Sequence, residues 1–444
     1  MGHLLAQVIV TAPSENRRAV ISALLDPAHF AIASVPGTEV RKKAREGRPD
    51  MIIVDMVEDA DLGIALCAEF NNHPETSPVS KVMLGNEESA LPPALTAELG
   101  ADDLIVDVDD AKAMMARLVP ILRLSTMKTE LRRRLTSASG FGLLLDPHQD
   151  LAIDDDPYSI LIAAGEPESA KVVLNEGLEA RCFLETVATP FAAETALEKK
   201  RFDACVIVED ETVFSQTGLW ELAERIRLNP RLFNLPVIVA TRGDCDHKNY
   251  YTHGVSRVLS LAADTKDFGA VVTLLVNRQR LRWRIRQAMD EALDPLILEP
   301  SGAFREDFFL SHLNRMIADA HECHKPLAVL GYDFPTIAEV RENFGEEASR
   351  HLARQLAQWI NTMTRVEDLV AQVDDSLFYV ALPDTPQADA DFVMQRLAGI
   401  LSHTDFALYD VYRPIEVSSR HGLAMLDGGD SPKDLLDRVK SNLK

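Results

Sequence analysis

Arg365 and Asp368 form an Arg-x-x-Asp sequence, and an acidic pair, Asp374 and Asp375, follows it in the same segment. A guanidinium fork can bind two acceptors at once, such as O6 and N7 of guanine or two phosphate oxygens. A nearby carboxylate accepts hydrogen bonds from N–H donors. By itself the Arg-x-x-Asp pattern is a weak signal, but its position relative to the acidic pair makes it a candidate binding site. The alternative is a surface ion pair at a helix end, which contributes little stability.

The segment around these residues predicts a mixture of strands and helices. An apolar run at Leu327–Asp333 predicts a strand, and Gln372–Leu382 predicts a hairpin that carries the acidic pair. Apolar residues at helical spacing predict helices over Glu346–Met363 and Ala388–Leu401. Because strands and helices do not alternate regularly here, we expect an α+β domain.

The chain before this segment predicts two copies of a doubly wound α/β domain. Short apolar strands alternate with helical stretches, which is typical of a parallel sheet covered on both faces. The strands of the first copy are predicted at Ala6–Thr11, Asp50–Asp55, Val79–Leu84 and Leu104–Val106. Those of the second copy are predicted at Ser159–Ala163, Ala204–Val208, Pro236–Ala240 and Arg257–Leu259. The predicted fold class is therefore α/β and α+β multidomain.

The predicted domain boundaries follow charged and proline-containing segments. We expect domains over residues 1–125, 157–292 and 293–444, with a helix tail and an acidic linker over 126–156. A long arginine-rich helix is predicted at about Asp267–Ala292. We interpret its arginines as a solvated face. We expect the helix to link the orientation of the third domain to that of the second.

The composition predicts a cytoplasmic protein. A net charge of −23 repels nucleic acid and anionic membranes. The 5 cysteines are irregularly spaced, as expected for reduced thiols in a cytosol. The start of the chain lacks the features of a secretory signal, and no apolar run reaches membrane-spanning length. We therefore expect no nucleic-acid partner and no membrane insertion.

Both front domains resemble the receiver domains of response regulators, which have a flavodoxin-like, five-stranded parallel sheet. Receivers use an acceptor aspartate after the third strand, two acids after the first strand for Mg²⁺, and a lysine after the fifth strand. Asp55 stands at the acceptor position of the first copy, but Thr11–Ser14 takes the place of the acids. Glu209 replaces the acceptor in the second copy. The resemblance implies that Asp55 is a weak phosphoacceptor or a leftover surface carboxylate, and that the second copy is a docking or dimerisation surface.

The third segment resembles the GGDEF (diguanylate cyclase) family, and the chain as a whole resembles the PleD-type receiver–receiver–GGDEF architecture. The shared landmarks are Asp294–Leu296, Asp333, Phe344–Gly345, the stretch from Arg365 to Phe378, Ala381–Thr385, Gly422–Ala424 and Ser431–Leu436. The resemblance implies a nucleotidyl-cyclase-like fold for this domain.

Several departures from the family pattern imply that the cyclase reaction is lost. Asp374 and Asp375 replace hairpin glycines whose backbone must approach the phosphates of GTP. The motif's own acidic residue has no counterpart, and one remaining carboxylate, Asp333, rarely holds catalytic Mg²⁺ alone. The family's guanine contacts fall on Arg341 and Arg350, and the sequence stops before the family's terminal lysine turn. We therefore expect no catalytic residues, no metal site and no enzyme activity.

The family's product-inhibition site, in contrast, is retained. Arg365 and Asp368 hold its Arg-x-x-Asp pattern at the expected offset from the hairpin, and Arg396 falls on a second family arginine of the following helix. The resemblance implies that these three residues bind cyclic di-GMP, as a stacked pair and without a metal.

The expected function is a cyclic di-GMP effector that acts as a scaffold, as a homodimer. The resemblance implies as partners a proteolytic adaptor or a protease substrate, together with polar recruitment factors, in cell-cycle-linked proteolysis at the cell pole. The alternatives are an active diguanylate cyclase with an unusual site and a phosphorylation-controlled regulator that acts through Asp55. We interpret His321–His324 as an ordinary helix end, because it lacks distant partner ligands for a metal.

Overall fold

A computed structural model of the chain describes most of its length. The described residues are 6–25, 30–86, 91, 93–106, 111–143, 151, 156–174, 182–210, 212–229, 231–241, 247–261, 268–298, 301–408 and 411–444. Of the helices in these ranges, none combines the length and the apolarity that crossing a membrane requires.

The first domain is a five-stranded parallel sheet with helices on both faces. Its strands are β1 (Ala6–Thr11), β2 (Phe30–Ser34), β3 (Met51–Asp55), β4 (Ser80–Gly85) and β5 (Asp103–Val106), in the order β2-β1-β3-β4-β5. Its helices are α1 (Glu15–Leu24), α2 (Gly37–Gly47), α3 (Ala60–Asn72), α4 (Pro93–Glu98) and α5 (Ala111–Ser139). Alternate residues of β1 and β3 pack against α1 and α5 on one face and against α2 and α3 on the other. Burial on both faces explains why these strands are apolar throughout.

The second domain repeats this topology. Its strands are β6 (Tyr158–Ala163), β7 (Cys182–Val187), β8 (Ala204–Val208), β9 (Val237–Thr241) and β10 (Arg257–Ser260), in the order β10-β9-β8-β6-β7. Its helices are α6 (Pro167–Leu174), α7 (Pro190–Lys199), α8 (Gln216–Leu228), α9 (His247–Thr252) and α10 (Phe268–Leu293). Numbered within each domain, both sheets have the same strand order, so the prediction of two doubly wound domains is confirmed.

The third domain is a mixed α+β unit, as predicted. Its strands are β11 (Ile297–Leu298), β12 (Ala303–Arg305), β13 (Leu327–Asp333), β14 (Leu369–Gln372), β15 (Leu377–Pro383), β16 (Phe406–Leu408), β17 (Val411–Ile415) and β18 (Arg420–Met425). Its helices are α11 (Glu306–Cys323), α12 (Thr336–Phe344), α13 (Glu346–Met363), α14 (Gln387–Ser402) and α15 (Pro432–Ser441). A six-stranded sheet has the order β11-β12-β14-β15-β13-β18, and β16 pairs with β17.

Two predicted features of this domain are confirmed. The antiparallel pair β14–β15 is the hairpin that the sequence predicted over Gln372–Leu382. The sequence His321–His324 forms the end of α11, where His324 caps the helix in the left-handed conformation at φ 53°.

Helix α5 extends well beyond the first sheet and packs between the other domains. It runs without a break across residues 125 and 126, so the predicted helix tail is part of it. Most of the predicted acidic linker, residues 144–150 and 152–155, lies outside the described ranges. The distal turns of α5 pack against α10 through an apolar cluster on both helices, and Val366 of the third domain joins that cluster.

The arginine run of α10 is not the solvated face that we expected. Arg278 donates to the backbone oxygen of Asp102, and Arg282 donates to the backbone oxygen of Pro120 over 2.7 Å. Arg280 forms an ion pair with Asp203 at 2.9 Å. The helix lies in the junction between the first two domains, where these acceptors face it, and this surrounding surface cannot be read from the helix sequence.

Asp103 joins the first two domains through buried ion pairs. Its carboxylate lies 2.7 Å from Arg117 of α5 and 3.0 Å from Arg257 of β10, and Arg278 of α10 is 3.7 Å away. The third domain also contacts the first, because Lys325 lies 2.7 Å from Asp50.

Candidate ligand site and the altered catalytic hairpin

Arg365 and Asp368 lie in the tight turn that connects α13 to β14. The backbone N–H of Asp368 donates to the carbonyl of Arg365 over 3.1 Å. The Asp368 carboxylate in turn accepts from the backbone N–H of Arg365, over 2.7 Å to Oδ2. The contact is therefore made by the backbone of Arg365, unlike the surface ion pair that was the alternative interpretation. Both bonds fix the backbone of the turn, and Arg365 itself is exposed.

Asp368 is almost fully buried, with 8% of the residue exposed. Its second oxygen, Oδ1, is buried and has no hydrogen-bond partner among the described residues. Burial, and then the neighbouring carboxylate of Glu367, raise the pKa of Asp368 to about 7, although Arg365 opposes the shift. Burial also raises the pKa of Glu367. A buried acceptor without a donor is costly, so an added N–H donor at this carboxylate would be stabilising.

The third predicted ligand residue, Arg396, lies next to this turn. It projects from α14, and its guanidinium donates to the backbone oxygen of Met363 over 2.9 Å. Met363 is the last residue of α13, two positions before Arg365. Arg365 and Arg396 are both exposed, whereas Asp368 is buried. Arg365 and Asp368 thus share one turn, and Arg396 contacts the end of the helix that leads into it.

One further contact to this turn was not foreseen from the sequence. Arg134 of α5 donates from Nη2 to the backbone oxygens of Val366, over 3.0 Å, and of Asp368, over 2.9 Å. The sequence marks this part of the chain only as a charged helix. Its partners lie in another domain, so no local signal identifies them.

Both acids of the hairpin have structural roles of their own. Asp374 accepts from the backbone N–H groups of Ser376, over 2.8 Å, and Leu377, over 2.7 Å. Asp375 forms an ion pair with Arg341. Asp374 therefore occupies backbone donors of the turn, and donors that are already bonded are not free to bind a phosphate.

The carboxylate at the family's metal position is also occupied. Asp333 accepts from the Ser376 hydroxyl over 2.8 Å and forms an ion pair with Arg420, its direct partner on the neighbouring strand β18. Within the described ranges, no group of three or more His, Cys, Asp or Glu side chains could hold a metal ion. These residues do not fit Mg²⁺, which requires several free oxygen ligands.

A pocket of about 340 Å³ lies beside the hairpin, between it and helices α12 and α13. Its charged lining residues are Arg341, Arg350, Arg354, Asp374 and Asp375. The two arginines that stand at the family's guanine-contact positions, Arg341 and Arg350, both line this pocket.

In the first domain, Asp55 is not the surface carboxylate that one interpretation proposed. It is 1% exposed, because it ends a central strand of the sheet. Its Oδ1 accepts from Arg17 of α1 over 2.9 Å, and burial raises its pKa although the Arg17 hydrogen bond opposes the shift. In the second domain Glu209 accepts from the hydroxyl of Tyr250 over 2.5 Å. Each of these acids therefore bonds a side chain of its own domain, while Oδ2 of Asp55 is buried without a hydrogen-bond partner among the described residues.

Comparison with known proteins agrees with this architecture. Residues 305–444 match the model of the family described as diguanylate cyclase, GGDEF domain. The response regulator PleD of Caulobacter vibrioides is 22% identical over 442 residues, which cover 98% of this chain and 95% of PleD.

Two solved GGDEF domains are also similar to part of the chain. That of TpbB (YfiN) from Pseudomonas aeruginosa is 26% identical, with a TM-score of 0.31, over 32% of this chain and 84% of its own. That of DgcB from Caulobacter crescentus, solved in complex with c-di-GMP, is 14% identical, with a TM-score of 0.32, over 33% of this chain and 85% of its own.

Proposed function

We propose that this PleD-like response regulator with a GGDEF domain is an effector of cyclic di-GMP and has lost cyclase activity. The observation that carries the proposal is the turn between α13 and β14. Arg365 and Arg396 are both exposed, and Arg396 donates to the backbone oxygen of Met363, two positions before Arg365. The buried Oδ1 of Asp368 has no partner among the described residues.

The chemistry of this turn matches the chemistry of the ligand. A guanidinium donates two parallel hydrogen bonds to O6 and N7 of guanine, and it can also bind phosphate oxygens. The ionised carboxylate of Asp368 accepts from guanine N1–H or from the exocyclic amine, once its side chain turns toward the ligand. A stacked pair of cyclic dinucleotides supplies several such groups, and two exposed arginines can reach different ones. The ligand contacts need no metal.

The state of the hairpin supports loss of catalysis. Asp374 bonds the turn's own backbone donors, and Arg420 neutralises Asp333. Both features oppose binding of a triphosphate with Mg²⁺ at this place.

For the biological role, we propose a scaffold that recruits partner proteins when the ligand is bound. The combination of two altered receivers, an altered hairpin and a retained Arg-x-x-Asp turn resembles the effector PopA. That resemblance favours a homodimeric, cytoplasmic protein at the cell pole, which brings a substrate to a protease during the cell cycle. Binding would act by shifting the population toward the conformation that exposes the docking surface.

Isothermal titration calorimetry with cyclic di-GMP tests the ligand. We expect binding to the intact chain with a dissociation constant on the order of micromolar or tighter, as for a site with several charge-assisted contacts. Arg365→Gly should abolish binding. Arg350→Gly is the matched control, because Arg350 is also an exposed arginine of this domain but lies at the pocket beside the hairpin. Absence of binding heat for the unaltered protein would exclude the proposal.

A further inference from the structure

The ligand turn is held by a residue of a different domain. Arg134 of α5 donates to the backbone oxygens at Val366 and Asp368, over 3.0 Å and 2.9 Å. These two carbonyls lie on either side of Glu367, within the Arg-x-x-Asp sequence itself. The guanidinium therefore fixes the path of the backbone that presents Arg365 and Asp368.

Arg134 is itself held rigidly. Its Nε lies 2.7 Å from Glu130, one helical turn earlier on α5. The same Glu130 oxygen lies 2.9 Å from Nε2 of His312 on α11, in the third domain. Only 5% of the Arg134 side chain is exposed, and the side chains of Glu130 and His312 are buried as well. Burial and these hydrogen bonds hold the Arg134 side chain in one conformation. The guanidinium therefore fixes the position of the backbone carbonyls to which it donates.

We propose that Arg134 is a positioning residue of the cyclic di-GMP site and that it makes ligand affinity depend on the helix of the first domain. The inference rests on the proposed function. Arg134 does not touch the ligand. It sets the position of Arg365 relative to the Asp368 carboxylate by anchoring the backbone of the turn that carries both.

The consequence is thermodynamic coupling between the ligand and the first domain. If the anchored turn binds the ligand more tightly than a free turn does, bound ligand must strengthen the contact of α5 with the third domain by the same factor. Ligand binding would then stabilise the position of α5, which extends from the contact at Arg134 to the sheet of the first domain. In this proposal the contact of α5 with the third domain couples ligand binding to the first domain. The first domain then has a role that does not require phosphorylation.

The neighbouring residue provides a matched control. Arg133 also lies 2.7 Å from Glu130 and reaches the third domain, at Asp319 over 2.7 Å, but the contacts described for it do not include the turn. Arg134→Met and Arg133→Met each remove one partner of Glu130 and weaken the contact with the third domain, at the turn and Phe304 in the first case and at Asp319 in the second. Only the first change releases the carbonyls of Val366 and Asp368.

The test is calorimetric titration of cyclic di-GMP into the full chain and its variants, with amide hydrogen exchange of residues 364–369. We expect Arg134→Met to weaken binding about tenfold or more and to speed exchange in the turn, because two charge-assisted hydrogen bonds are lost. Arg133→Met should change affinity less than about twofold, as expected for a change outside the site. Arg134→Lys keeps the charge beside Glu130 and can donate to the carbonyls, so it should recover part of the affinity and guards against a folding defect.

The outcomes separate the two proposals. If the unaltered chain does not bind the dinucleotide, both the proposed function and this inference fail. If it binds and Arg134→Met binds equally well, only the positioning role of Arg134 is wrong. If Arg133→Met and Arg134→Met weaken binding to the same degree, the effect comes from the domain contact in general and the specific role is likewise refuted.

Discussion

Asp333 and Arg420 form an ion pair across the neighbouring strands β13 and β18, at the position where a cyclase of this family holds its metal. The two residues are direct partners in the strand register, so the pairing is fixed by the sheet itself. An arginine in this place supplies the positive charge that a metal would supply, but it cannot coordinate a nucleotide triphosphate and activate a hydroxyl. The ion pair neutralises the partly buried carboxylate of Asp333.

We predict that the purified chain does not convert GTP to cyclic di-GMP with Mg²⁺ or Mn²⁺. The reason is cumulative, since Arg420 occupies Asp333 and Asp374 occupies the turn's backbone donors. Arg420→Ala should therefore not restore turnover, because the hairpin remains closed to phosphates. Product formation would be measured by chromatography against Asp333→Ala as the blank. Turnover above that blank in the unaltered protein would establish the cyclase alternative.

The raised pKa of Asp368 predicts a stability that falls with rising pH. A carboxyl whose folded-state pKa is raised favours the folded state fully below its unfolded value, and this contribution is lost as the pH rises through about 7. Asp368→Asn keeps an acceptor for the Arg365 N–H but carries no charge. We expect it to raise the melting temperature by a few degrees at pH 8 and by less at pH 5, which lies between the unfolded and folded pKa values. Asp375→Asn, at an exposed hairpin position, is the control.

The Asp368 carboxyl also predicts how ligand affinity depends on pH, and this trend is opposite to that of stability. Guanine N–H groups bind the ionised carboxylate, and Glu367, Arg365 and Arg134 surround it. Affinity for cyclic di-GMP should therefore increase between pH 6 and pH 8 in the unaltered protein. In Asp368→Asn we expect weaker binding that changes little over this range. Titrations at several pH values would measure both, and a pH-independent affinity of the unaltered protein would rule out a direct role for this carboxylate.

We predict that phosphorylation of Asp55 does not control this protein. Asp55 is buried and bonded to Arg17, and Thr11–Ser14 provides no acids to bind Mg²⁺. Beryllofluoride should therefore leave the oligomeric state of the protein unchanged, as measured by light scattering after size-exclusion chromatography. A change that occurs in the unaltered protein but not in Asp55→Asn would support the phosphorylation alternative.

The central elements could be predicted from the sequence because burial on both faces makes them uniformly apolar. The edge strands β2 and β7 were missed. Their residues are largely half-buried or exposed, so polar side chains such as Glu185 and Ser34 interrupt the apolar run. The short strands β11, β12, β16 and β17 were missed as well, since two to five residues carry no clear periodicity.

The candidate site was predictable only where its residues are close in sequence or at a fixed family offset. Arg365, Asp368 and Arg396 were predicted in this way, and the first two share one turn while Arg396 contacts the helix before it. The contact of Arg134 with this turn depends on the packing of α5 from the first domain, and sequence spacing contains no information about that packing. The contacts of the α10 arginines could not be predicted either, because their acceptors belong to other helices, strands and loops.

The junction between the first two domains should depend strongly on Asp103. Burial opposes its charge, but Arg117, Arg257 and Arg278 hold the pKa of Asp103 well below its usual range. Asp103→Ala leaves these buried guanidinium groups without their carboxylate, which we expect to destabilise the protein by roughly 3–5 kcal/mol. The matched control is Glu75→Ala, which breaks an ion pair with the mostly exposed Arg45 and should cost less than about 1 kcal/mol. Urea denaturation of both variants measures the difference, and equal midpoints would show that the buried cluster does not hold the two domains together.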